Sequence, residues 1–383
     1  MLQRRAAAVL RGDEAAFIAT VAGAPSDFTS RQRTWFRRMR TLPIGAYRLD
    51  MGQDEFSELT RASDREHHSG EVHIVQVKER IGFLGYDVSP SAEDVFYTVV
   101  KGPKGWSVVA DDDAESLALQ SNRNLWDFGD VSHIERGGVM VLFHASERAA
   151  APKLLSMALQ AAAHVRGSWP NQWRENKIVL LIPSTVAELA RILQTTFDLS
   201  TFVAFQASSV DRSSGWALTG ARVYLHWPNF RRYAASFQQS ILQHEFLHYA
   251  THEIDGPFVT SIIDEGVAQY YGEGQYSPST PQLRGRVRAH QFDGHLVPDY
   301  FFTVGPPADI YLAYEEAVHF MSYLGRRFGR GAGSKLYLTL GAERPVLPGT
   351  WRYHLDRACR IAFGVSFPAL ERDWARAVIK ELS

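Results

Sequence analysis

Apolar and polar positions change rhythm several times along the chain. In "LQRRAAAVLRGDEAAFIATV" the apolar residues recur at helical spacing, and Gly12-Asp13 predicts a break between two short helices. "RQRTWFRRMRTL" predicts a third helix, with Trp35 and Phe36 entering the core and the arginines on a solvated face. The texture then turns to β-branched residues in "EVHIVQVKERIGFLGYDV". A hairpin follows, Phe96 to Lys101 turning through Gly102-Pro103-Lys104-Gly105 into Trp106 to Ala110. Helices followed by a curved antiparallel sheet predict an α+β domain over residues 1–115, with a polar linker over 116–130.

From 131 to 383 strands and helices alternate before helices take over. "GGVMVLFH", "KIVLLIP", "TFVAFQAS" and "ARVYLHW" predict strands. "SERAAAPKLLSMALQAAAHV" and "STVAELARIL" predict helices, the second capped by Ser184 or Thr185. "YAASFQQSILQHEFLHYATH" is a long helix, and beyond residue 261 the pattern is mainly helical. The strand "ARVYLHW" reads equally as a covered sheet edge or as one that pairs with an extended peptide.

The long helix carries the chemistry. His244 and His248 stand four apart, so both imidazoles leave one helical face, as two ligands of one ion require. Glu245 lies about 100° round the helix, placed to reach a water rather than the ion. A catalytic zinc keeps three protein ligands and an open place, so a third ligand must come from elsewhere. Downstream, "HEIDGPFVTSIIDEGVAQYY" offers Glu265. Gly256-Pro257 ends the first helix, and Ser261 with Asp264 predicts a capping box that opens the next. Glu265, expected in the first turn of that helix, would face back toward the histidines.

Composition narrows the choice of ligand. Cys359 is the chain's one cysteine, which excludes an intrachain disulfide or a Cys-rich zinc site and leaves imidazole and carboxylate donors. Its expected role is that of a buried small hydrophobe. With 41 basic against 42 acidic residues, no basic field invites nucleic acid. His67, His68 and His73 read as surface residues. The first thirty residues hold no apolar core of signal-peptide length, and no run approaches a membrane span.

"HEFLH" followed by "IDEGVAQYY" resembles the gluzincin zinc metallopeptidases, His-Glu-x-x-His with a later Glu-Gly-x-Ala segment. "YEEAVHFMSYLGRRFG" and "FGVSFPALERDWARAV" are similar to the tail of peptidase-MA-like families. The N-terminal hundred residues resemble NTF2-like cones found ahead of such peptidases in actinobacterial proteins. The resemblance implies a zincin-like domain over 131–383, with a mixed sheet, an active-site helix and a mainly helical C-terminal part. It also implies one Zn2+ bound by His244, His248 and Glu265, and Glu245 as general base and proton shuttle to the leaving amine. The substrate would be a peptide or protein and the setting extracytoplasmic. Tyr314, with Tyr311 second, is the oxyanion donor the resemblance suggests, while His319 is expected on the wrong face. Such families often place a carboxylate one turn after the glutamate ligand; this chain has Gln269 there, with Asp264 or Glu273 as candidate substitutes. That departure keeps open an alternative, a catalytically weak or inactive zinc-binding module serving protein or ligand binding.

Overall fold

The structure, a computed structural model, describes residues 1–52, 59–68, 70–171, 173, 177–195, 198–200, 202–211, 217–297, 302, 307–343 and 350–383. Thr201, at the start of the expected strand "TFVAFQAS", lies outside them. The architecture is α+β and begins with a curled antiparallel half-barrel sheet. Backbone packing divides the chain into two compact units, Met1–Met157 with Glu175–Ala234, and Ala158–Arg174 with Ala235–Ser383.

The first unit opens with α1 (Leu2–Arg11), α2 (Glu14–Ile18) and α3 (Ser26–Met39). The break between α1 and α2 has two local causes. Gly12 takes a left-handed φ of 71° and caps the carbonyls of Ala8 and Val9, and the Asp13 side chain then accepts from Ala16 N at 2.9 Å. After α3 come β1 (Ile44–Met51), α4 (Ala62–His67), β2 (Glu71–Phe83), β3 (Ser91–Gly102) and β4 (Gly105–Ala110). The sheet runs β1-β2-β3-β4, each pair antiparallel, and the last hairpin closes where Gly102 faces Gly105 at φ 101°. Inward residues Tyr47, Leu49, Val77 and Val108 meet Phe17, Phe28 and Phe36 in one core.

Residues 116–130 are not a free-running linker. They form α5 (Leu125–Phe128), whose Leu125 and Trp126 join that same core. Then follow β5 (Val131–Arg136), β6 (Val139–His144), α6 (Ala151–Ser168), β7 (Ile178–Ile182), α7 (Val186–Ile192), β8 (Ala204–Asp211), β9 (Ala217–Leu225) and α8 (Trp227–Phe230). The α7 cap is Thr185, whose hydroxyl accepts from Glu188 N. The second sheet runs β5-β6-β7-β9-β8, parallel in the middle and antiparallel at both edges. It shares a unit with the half-barrel, and buried ion pairs tie them, Arg80 to Asp211 at 2.6 Å and Arg222 to Asp87 at 2.5 Å.

The second unit is helical where described: α9 (Ala235–Thr251), α10 (Ser261–Val267), α11 (Pro281–Arg288), α12 (Pro307–Phe328), α13 (Ala332–Gly341), α14 (Trp351–Phe363) and α15 (Phe367–Leu382). Phe246 and Leu247 bury the far side of α9. Two glycines set how closely α10 and its continuation approach their neighbours. A methyl on Gly266 would stand 2.7 Å from Ala317 O of α12, and one on Gly272 would stand 2.8 Å from Gln243 O of α9. Cys359 is fully buried, and burial pushes its thiol up to about 12. Among the described residues no helix is long and apolar enough to cross a membrane.

One buried group in the first unit gives this core a pH dependence. Tyr47 Oη donates to Glu79 Oε1 at 2.8 Å, and burial raises the Glu79 carboxyl from 4.5 to about 7. The folded chain therefore holds this proton more tightly than the unfolded chain does. Below pH 4.5 the group makes almost no difference; stability then falls as pH rises, and the whole loss, about 3 kcal/mol, is in place above pH 7. Glu79→Gln keeps an acceptor for Tyr47 without the charge. Urea unfolding should find it within about 1 kcal/mol of the parent at pH 5 and more stable by about 3 kcal/mol at pH 8.5. An equal gap at both pH values would refute the assignment.

Candidate metal centre

The fourfold spacing in α9 works as geometry demands. The His244 and His248 rings lie 4.8 Å apart, and their Nε2 atoms approach to 3.1 Å. Glu265 of α10 enters the same space, its Oε2 3.0 Å from His244 Nε2 and 3.6 Å from His248 Nε2. Among the described residues these three form the one group of His, Cys, Asp and Glu side chains with ligand atoms clustered as for a metal ion. A tetrahedral ion with bonds of about 2.0–2.1 Å holds its donors about 3.3 Å apart, so the three separations suit a zinc-sized ion.

The outer nitrogens are equally specific. His244 Nδ1 faces Glu273 Oε1 at 2.9 Å, and His248 Nδ1 faces Asp264 Oδ1 at 3.2 Å. In a neutral ring each carboxylate accepts the Nδ1 proton and leaves the inner Nε2 lone pair to an ion, the usual support for a histidine ligand. Glu273 is itself held by Ser240 Oγ at 2.6 Å and Gln275 Nε2 at 3.0 Å.

Two expectations about α10 need correction. Ser261 is its first helical residue, not its cap; Thr260 occupies the cap position without a side-chain bond. No capping box forms, because the Asp264 carboxylate turns to His248 instead of the helix start. Glu265 is accordingly the fifth residue and lies in the second turn.

Gln269 makes no hydrogen bond through its side-chain oxygen, and Glu273 and Asp264 take the orienting positions. The reason Glu273 reaches His244 is a π turn over Ala268–Gly272. Such a turn inserts one residue into the helical count, so the eighth residue after Glu265 faces as a seventh would, within about 20° of it.

Tyr314 of α12 belongs to the site. Its ring centre lies 6.4 Å from that of His244, and its hydroxyl hydrogen-bonds to Glu265. Burial, then the charges of Glu265 and Glu245, hold its phenol well above the usual value, so it stays a donor. Glu245 is half-buried beside it. Tyr311 is 63% exposed, and His319 accepts from Trp374 Nε1 at 3.0 Å, which engages it elsewhere. The cluster "REHHSGEVH" does not converge: His67 bonds Ser63 O, His68 faces Asp113 and His73 faces Glu71.

Electrostatics favour a cation. Burial opposes charge on His244, yet its bonds to Glu265 and Glu273 prevail and raise it to about 10. Burial likewise opposes His248, and Asp264 and Glu265 raise it well above the ordinary value. Glu265 lies well below the usual carboxylate range despite burial, because His248 and His244 face it. Without an ion the pocket thus collects protons, which a metal would displace. The purified protein should bind one zinc per chain, and His244→Ala or Glu265→Ala should abolish stoichiometric uptake in metal analysis. Apparent affinity should rise about tenfold or more per unit between pH 6 and 8, as one or two protons leave per ion. A pH-independent affinity would contradict this picture of the site.

Neither a scan against protein-family models nor a comparison with curated proteins finds a match to this chain.

Proposed function

We propose that the chain is a zinc-dependent peptidase of gluzincin type, its second unit built around a zincin-like active-site helix. The observation that carries this reading is the convergence of three ligand atoms at separations of 3.0, 3.1 and 3.6 Å, with Tyr314 meeting both Glu265 and the charge of Glu245. The half-barrel sheet with its leading helices is in keeping with the NTF2-like cone that the N-terminal residues resemble.

A zinc ion held by His244, His248 and Glu265 would supply a Lewis acid that acidifies water and polarises a peptide carbonyl. The remaining chemistry belongs to this chain. Glu245 takes the proton of the attacking water and returns it to the leaving amine, so no covalent intermediate with the protein is needed. Tyr314 donates its phenolic hydrogen bond to the oxygen on which charge develops. Glu273 and Asp264 keep the histidines in one tautomer and orientation throughout.

Two substitutions separate catalysis from metal binding. Glu245→Gln should keep its zinc while cleavage of a fluorogenic peptide library falls by about 100-fold or more. Tyr314→Phe should lower kcat by about 10- to 100-fold with little change in KM. A zinc-loaded parent that cleaves no better than Glu245→Gln would instead assign the site to binding without hydrolysis.

A further inference from the structure

Asp264 depends on a support that no helical neighbour supplies. It lies in the first turn of α10, 28% exposed, where a carboxylate is free to rotate toward water. Its Oδ1 nevertheless points at His248 Nδ1, and the same oxygen accepts from Tyr337 Oη at 3.2 Å. Tyr337 comes from the middle of α13 and is fully buried. The edge of the Trp169 ring packs on it at 6.2 Å between ring centres. The end of α13 is pinned as well, because any side chain at Gly341 would collide with the carbonyl of Ile254. The phenol hydroxyl, which also meets Asp255 and Thr251, is held from several sides, and the carboxylate is the more exposed of the pair.

We propose that Tyr337 is a positioning residue for the metal centre, holding Asp264 on His248 Nδ1 so that Nε2 is the nitrogen presented to the ion. This rests on the metal reading of the site and extends it to a helix that contributes no ligand. The arrangement joins a half-buried carboxylate to a buried donor, so that α13 and the site are stabilised together.

The test is a double-mutant cycle on zinc affinity, measured at pH 7 by competition with a chromophoric chelator. Asp264→Ala, which removes the acceptor, should weaken binding about 10- to 100-fold, and Tyr337→Phe, which keeps the ring and loses only the hydroxyl, about 3- to 10-fold. Added to Asp264→Ala, Tyr337→Phe should have no further effect. Parental affinity in Tyr337→Phe, or effects that multiply, would overturn the proposal. A parent that binds no zinc would instead remove the metal reading itself. Should Tyr337→Phe not fold, hydrogen exchange decides: zinc should slow the α13 amides in the parent and leave them unchanged in Asp264→Ala, and equal slowing in both would count against the link.

Discussion

Two half-buried imidazoles whose inner nitrogens stand 3.1 Å apart require something to balance them. Protons on both nitrogens would repel, and the surrounding Glu265, Glu273 and Asp264 draw positive charge into the space. One cation would answer both demands, replacing protons that repel with a centre the three inner ligand atoms could share. The rest of the second unit can be understood as the means of holding these groups in that arrangement.

Backbone proximity is the first of those means. Glu265 meets the histidines because α10 and the turn after it press against α12 and α9, which Gly266 and Gly272 permit by having no side chain. The second means is helical phase. A spacing of four presents His244 and His248 together, and the π turn restores Glu273 to the side on which Glu265 already lies. A third is support from beyond the ligand helices: Tyr314 of α12 on Glu265, and Tyr337 of α13 on Asp264.

What the sequence made legible follows from the range of each interaction. His244, Glu245 and His248 are a local pattern on one helix, and Glu265 sits one short loop away, so spacing alone brings them forward. Asp264 carried a misleading local signal, since Ser-x-x-Asp favours a cap, and a longer-range partner outweighed it. Tyr337 lies 73 positions from Asp264, and no periodicity connects them. In the first unit β1 and β5 went unread for a different reason. The Gly45 interruption weakens one, and β5 buries Val131 alone, so neither shows a strong alternation. Trp126 was hidden in a polar stretch, although a large aromatic there was itself a hint of burial.

The proposed chemistry meets at a single point in space between His244, His248 and Glu265. Anomalous diffraction at the zinc edge, from crystals of the protein grown with zinc, tests it most directly. One strong peak is expected about 2.0–2.2 Å from His244 Nε2, His248 Nε2 and a Glu265 oxygen, with the remaining position taken by solvent. A peak elsewhere, or one closed by a fourth protein ligand, would contradict it.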